Sequence, residues 1–295
     1  MSKAGWIALI LSLVVGLNGH SRAAPASFED VLMQPSTSAD MVLAYGEHPD
    51  QFGELRLPHG PGPHPVIVLI HGGCWMQAYD LAHIRPLADA LTGLGYATWT
   101  LAYRRPGGDA DPWPDTFMDV ALGVDELREL AEENALDLDA VTVVGHSAGG
   151  QLALWLAARG DFAEDHPLYR SSPLPVHRVV ALAPITDMAE FAAVEQGCSA
   201  GARQVMGGAP EERSERYRAV SPVDNLPLRS RVELVHARAD RIVPLEHSER
   251  FAAELSAGGG QVALHPLSEP AGHFDVLLTY GAAWSLLEDL LAIQR

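Results

Sequence analysis

Three side chains in this sequence have the types and the order needed to attack a carbonyl carbon. Ser147 lies in Gly145-His146-Ser147-Ala148-Gly149, Asp240 in Ala239-Asp240-Arg241, and His273 in Gly272-His273-Phe274. A serine hydroxyl is a weak nucleophile at neutral pH. It needs a base to take its proton, and an imidazole base needs an acid to fix its tautomer and orientation. The chain order Ser, Asp, His is the one that accompanies a G-x-S-x-G nucleophile.

These residues can meet only if the right elements carry them. The β-branched run 141–144 enters the pentapeptide directly, and a helix-forming run, 151–158, follows. Strand, sharp turn and helix make a nucleophile elbow, whose strained turn needs the small neighbours Gly145 and Gly149. The alternative is a glycine-rich turn with no chemistry. Asp240 follows the apolar run 231–237, and His273 follows 261–266 and precedes an amphipathic helical pattern at 274–293. Sites in parallel sheets gather beyond the carboxyl ends of strands, where all three residues fall. Asp187, after the run 178–183, is a rival acid but reads better as structural. Asp224 and Asp275 take ordinary roles before a strand and at a helix start. His236 within a strand, His265 at a strand end and His247 on a surface helix are also read as structural.

An acyl-transfer site also needs donors for the oxyanion. The N–H of Ala148, at the helix start, is one; His71-Gly72-Gly73-Cys74-Trp75, after the apolar run 66–70, supplies others. Gly73 and Cys74 are the assigned donors, and His71 shapes the loop. Trp75, Met76 and Tyr79 are expected on the substrate side, with core packing as the alternative.

Around this centre, strands are expected at 41–46, 53–58 and 97–103 and helices at 82–94, 116–134 and 245–257. Residues 26–40 read as a polar loop, and 184–228 lack strand character. Strands alternating with helices give one α/β domain, a mostly parallel sheet covered on both faces, with a small cap at about 187–226. At 295 residues and 47% hydrophobic, the chain can fill one large core. Twenty Lys and Arg against 38 Asp and Glu give a formal charge of -18, which argues against nucleic-acid and anionic-membrane partners. Lys3, the apolar run 6–17 and small residues at 23–26 predict a cleaved signal peptide, ending at Ala23 or Ala26, and hence a secreted or periplasmic protein. The run is too short for the ~20 residues of a membrane span. Cys74 and Cys198, in a chain that meets an oxidising compartment, are left open between pairing and free thiols.

Together these motifs resemble the α/β-hydrolase superfamily, in its esterase branch related to hormone-sensitive lipase and kynurenine formamidase. The resemblance runs from Tyr45 to the end. It takes in Tyr45-Gly46 with Gln51, HGGCW at 71–75, Ala102-Tyr103-Arg104, Trp113-Pro114 with Asp119, GHSAGG, Ser221-Pro222-Val223, ADRIVP and GHFD. It implies Ser147, Asp240 and His273 as triad, Gly73, Cys74 and Ala148 as oxyanion hole, a small ester as substrate, and no metal or organic cofactor. Lipase-like relatives carry a third glycine where Cys74 and Trp75 stand; HGG, one residue, then Trp resembles kynurenine formamidase or bacterial feruloyl-esterase-like proteins. His236-Ala237-Arg238 replaces a common His-Gly. Kynurenine formamidases are intracellular as a family, so the leader favours a secreted carboxylesterase. An arylformamidase and a catalytically silent binding scaffold are the alternatives.

Overall fold

The run around Val143 is the middle of an eight-stranded sheet. The computed structural model describes residues 24–107, 112–194 and 197–292; the expected leader, through residue 23, lies outside the described residues. The strands are β1 (Met41–Ala44), β2 (Phe52–Arg56), β3 (His64–Ile70), β4 (Ala97–Leu101), β5 (Leu136–His146), β6 (Arg178–Leu182), β7 (Arg231–Ala237) and β8 (Val262–Leu267), in spatial order 1-2-4-3-5-6-7-8. β2 runs antiparallel to both β1 and β4, and the strands from β4 across to β8 are parallel. This is the α/β-hydrolase fold.

The central strands are apolar on consecutive residues because both faces are covered. Val66, Val68 and Ile70 of β3 join one core with Val141 and Val143 of β5 and Trp155. Ile67 and Leu69 join the other with Val144 and Leu287. The period of two along a strand thus assigns each side chain to one of two cores. Register then brings Gly145 opposite Ile70 on one side and Ala181 on the other, so β3, β5 and β6 end level with one another.

Four expectations change. The loop at 26–40 contains a helix, Phe28–Leu32, capped reciprocally by Ser27 and Asp30; five residues are too few to show a helical period. The helix at 116–134 divides at Glu126 into Asp115–Asp125, packed on helix Ala148–Ala158, and Leu127–Asn134, packed on β5. The amphipathic closing run does not begin at 274: a 3-10 turn, Asp275–Leu277, and an extended link precede the helix Gly281–Leu290. Gln34 satisfies that interruption, donating to Leu277 O and accepting from Thr279 N. His247 does lie on a helix, Glu246–Ala257, but is buried and meets the Phe191 ring edge-on. Between β6 and β7 stand the short helices Met188–Ala193, Ser199–Met206 and Ser214–Val220. No helix among the described residues is long and apolar enough to cross a membrane.

Residues that carried the resemblance far from Ser147 prove to share one buried network. Asp119, only 1% exposed, accepts from Gln51 Nε2 at 2.6 Å, Arg104 Nη2 at 2.6 Å, and Arg104 Nε and N at 2.8 and 2.9 Å. Tyr45 OH donates to Ala102 O beside it. The carboxylate ties the end of β4 to the helix Asp115–Asp125. Asp119→Ala leaves the guanidinium with Asp115 as its remaining carboxylate and the Gln51 amide without its acceptor; we expect a loss of about 2 kcal/mol, read as a lowered denaturant midpoint with unchanged slope.

Candidate active site

β5 ends at His146, and Ser147 follows with φ 56° and ψ -118°, capping the helix Ala148–Ala158. Positive φ is costly for a residue with a side chain, and here close approaches on either side hold it. A Cβ on Gly149 would lie 2.1 Å from Ile70 O, and one on Gly145 would lie 2.1 Å from Gly149 O. Neither position tolerates any other residue. Ser147 N donates to Leu182 O at 2.8 Å, fixing the turn to β6 as well.

Asp240 and His273, from the loops after β7 and β8, are brought together as expected. His273 Nδ1 lies 2.6 Å from Asp240 Oδ2, with both side chains almost fully buried. The other carboxylate oxygen, Oδ1, accepts from Ile242 N and Val243 N at 2.8 and 2.9 Å, an Asx turn that aims the group. His236 adds a contact at 3.3 Å from Nε2 to Oδ2. Both partners of that nitrogen, Val243 O and the carboxylate, only accept; it therefore carries the proton, and Nδ1 accepts from Ser248 Oγ. Burial alone would raise the Asp240 carboxyl, but the hydrogen bonds from His236 and His273 hold it well below the usual carboxylate range. An ionised Asp240 puts the His273 proton on Nδ1 and leaves Nε2 with a lone pair.

The loop after β3 lies against the elbow. A Cβ on Gly72 would come within 3.1 Å of Ser147 Cβ. Gly72 N is already engaged, donating to His83 Nε2 at 3.3 Å. The N–H groups of Gly73, Cys74 and Ala148 find no acceptor among the described residues. Gly73, Cys74 and Trp75 all have positive φ, at 101°, 56° and 55°. Trp75 is fully buried in the core with Tyr103 and Phe117, which removes it from the substrate side; Met76 and Tyr79 are half-buried. His71 donates Nδ1–H to Gly72 O and stacks on Tyr103, in keeping with a shaping role. Asp187 accepts from Glu190 N as a helix cap.

Sequence reasoning did not find the supports behind these groups. Cys74 and Cys198 form a disulfide with Cα atoms 5.1 Å apart, which resolves the open pairing. His146 donates Nε2–H to His273 O at 3.1 Å, and its ring lies 4.7 Å from the His273 ring. Asp275 accepts from Gly272 N and from Ala26 N, both at 2.8 Å, so the start of the described chain braces the His273 loop. Phe28 packs on Tyr79, His83 and Phe274. Only the hydrophobic Phe28 hinted at burial.

A family profile, BD-FAE, matches residues 55–255, from β2 to the helix after β7. The chain belongs to the BD-FAE family. Among curated proteins, this BD-FAE chain is similar to the probable carboxylic ester hydrolase LipM of Mycobacterium tuberculosis, 25% identical over 258 residues, covering 83% of this chain and 58% of LipM. Esterase LipQ of the same organism is 23% identical over 265 residues, covering 77% and 62%. The chain thus spans about 60% of these relatives' length. Among solved structures, esterase B from Lactobacillus Rhamnosis superposes with a TM-score of 0.72 at 19% identity, covering 89% of this chain and 88% of that one. A truncated carbohydrate esterase from gut microbiota gives 0.71 at 18% identity, covering 90% and 97%. These likenesses extend to the fold.

Burial holds His71 and His146 well below their ordinary pKa and lowers His83 to about 4. All three BD-FAE histidines are neutral when folded, whereas the unfolded chain protonates them near 6.5. Stability is therefore complete above that pH and declines as pH falls toward 4, with His83 accounting for about 3 kcal/mol. Calorimetry from pH 7.5 to 4.5 should show a falling Tm, and His83→Gln, whose amide oxygen accepts from Gly72 N without taking a proton, should show a shallower decline.

Proposed function

We propose that this chain is an exported serine carboxylesterase that hydrolyses small carboxylic esters through an acyl-enzyme. The observation that carries the reading is the 2.6 Å contact of His273 Nδ1 with Asp240, because it leaves Nε2 free to act as base; His146, the residue before Ser147, holds the His273 carbonyl at 3.1 Å. The esterase names of the mycobacterial relatives support the same class.

In this reading Ser147 Oγ attacks the ester carbonyl as His273 Nε2 takes its proton. Asp240 stabilises the imidazolium and holds its orientation. The carbonyl oxygen, now an anion, accepts from the N–H groups of Gly73, Cys74 and Ala148, each worth roughly 3 kcal/mol in the transition state. His273 returns the proton to the departing alcohol, and water, deprotonated by the same nitrogen, releases the acid. Met76 and Tyr79 face the substrate, and segment 187–226 forms the cap above it.

Export fits the positive start and apolar run before residue 23. Cleavage after Ala23 keeps the Ala26 N–H bond to Asp275 and the packing of Pro25 on Gly272, which cleavage after Ala26 would lose. Intact-mass analysis of the exported protein should therefore give Ala24 as the first residue; a chain starting at Ser27 would overturn that assignment.

The activity is tested with p-nitrophenyl acetate, butyrate and octanoate beside N-formylkynurenine. We expect ester turnover, a fall of about 10⁴-fold or more in kcat for Ser147→Ala, and stoichiometric labelling of Ser147 by a phosphonate. Turnover of the formamide alone would make the chain an arylformamidase. Failure of both turnover and labelling would leave a binding scaffold.

A further inference from the structure

Cys74 occupies an unusual position in the fold. Its backbone N–H is one of the three assigned to the oxyanion, its φ is left-handed, and its sulfur is bonded to a residue 124 positions away. The partner, Cys198, caps the helix Ser199–Met206 in the segment between β6 and β7. That helix touches the loop a second time. A Cβ on Gly201 would lie 2.0 Å from Cys74 O and 3.3 Å from Cys74 Cβ, so the helix backbone rests directly on the Cys74 carbonyl.

Two consecutive non-glycine residues with positive φ, Cys74 and Trp75, form a conformation that costs about 1 to 3 kcal/mol each and persists only where surroundings impose it. On the inner side Trp75 is anchored in the core, and Gly72 abuts Ser147. On the outer side, among the described residues, lie the disulfide and Gly201. The helix is itself seated: Ala202, Val205 and Met206 are buried, and Arg203 Nε donates to Ala192 O at 2.7 Å.

We infer that Cys198 and Gly201 are positioning residues for the oxyanion hole, so that the segment over the site sets the aim of the Cys74 N–H. The inference rests on the esterase reading above. A tie that served stability alone would raise Tm and leave the reaction untouched. A tie that aims a donor acts on the transition state, where the oxygen is an anion, more than on the bound ester.

The test compares wild type, Cys198→Ser and Gly201→Ala by kcat and KM on p-nitrophenyl butyrate and by Ki for an alkyl trifluoromethyl ketone. The ketone adds Ser147 Oγ to form a hemiketal whose oxygen occupies the same hole. So that the folding of Cys198→Ser does not decide the outcome, folded wild type is also reduced with dithiothreitol. Its two thiols exchange with the Cys74–Cys198 bond, leaving as a cyclic disulfide while each cysteine gains a hydrogen; reoxidation then restores the bond. We expect kcat to fall roughly 10- to 100-fold, less than the loss of a whole donor. KM should stay within about threefold, and Ki should rise in parallel with the loss of kcat/KM. Gly201→Ala should show the same split with the disulfide intact, and reoxidation should recover kcat. The inference is overturned if wild type is active but these forms lose only Tm, or if KM rises with Ki unchanged. An inactive wild type that no phosphonate labels would instead overturn the esterase reading itself.

Discussion

The site depends on one close approach, that of the Gly149 backbone to the carbonyls at the end of β3. With 2.1 Å between a notional Cβ and Ile70 O, the first turn of the helix after Ser147 lies against the very residues that lead into the Gly72–Gly73 loop. This contact holds Ser147 at its positive φ and sets its turn and the Gly72–Gly73 loop at a fixed separation. The even ends of β3, β5 and β6 are its precondition, since a shift of one residue in register would move Gly145 away from Ile70 and turn each core-facing side chain to the other face.

Around that contact, charge is arranged economically. Asp240 collects four N–H donors, from Ile242, Val243, His236 and His273, and this is why a carboxylate can stay ionised where burial disfavours it. The imidazoles behind it stay neutral. His83 accepts from one backbone and His146 donates to another, so neutral rings serve as fixed hydrogen-bonding struts, one under the Gly72 loop and one under the His273 loop.

Most of this plan was legible where it rested on local pattern. Seven strands fall within about two residues of the expected runs, whereas β5 begins at Leu136, ahead of the run at 141–144, because Leu136 and Asp137 pair with His64 and Pro65; the elbow was explicit in GHSAGG. Long-range packing left weaker marks. Trp75 follows the loop glycines and so looked like a pocket wall, but its left-handed φ turns it into the core. The pattern from 274 onward has helical periodicity, yet Gln34 takes up Leu277 O and Thr279 N, two backbone groups that a continuous helix would need. The helix at Phe28 is too short to have a period, and His247 looked exposed because its helix is largely polar. Cys74 and Cys198 carry no spacing that announces a pair across 124 residues.

The bond between Ala26 N and Asp275 has a consequence in time. The two residues are separated by 249 positions, and the carboxylate also holds Gly272, next to His273. A ribosome delivers Ala26 well before Asp275, so the segment around Ala26 waits through the synthesis of all eight described strands without its partner. The His273 loop is braced only when the last strand has joined the sheet. A chain made amino end first therefore completes the loop that carries His273 last among the parts of this site.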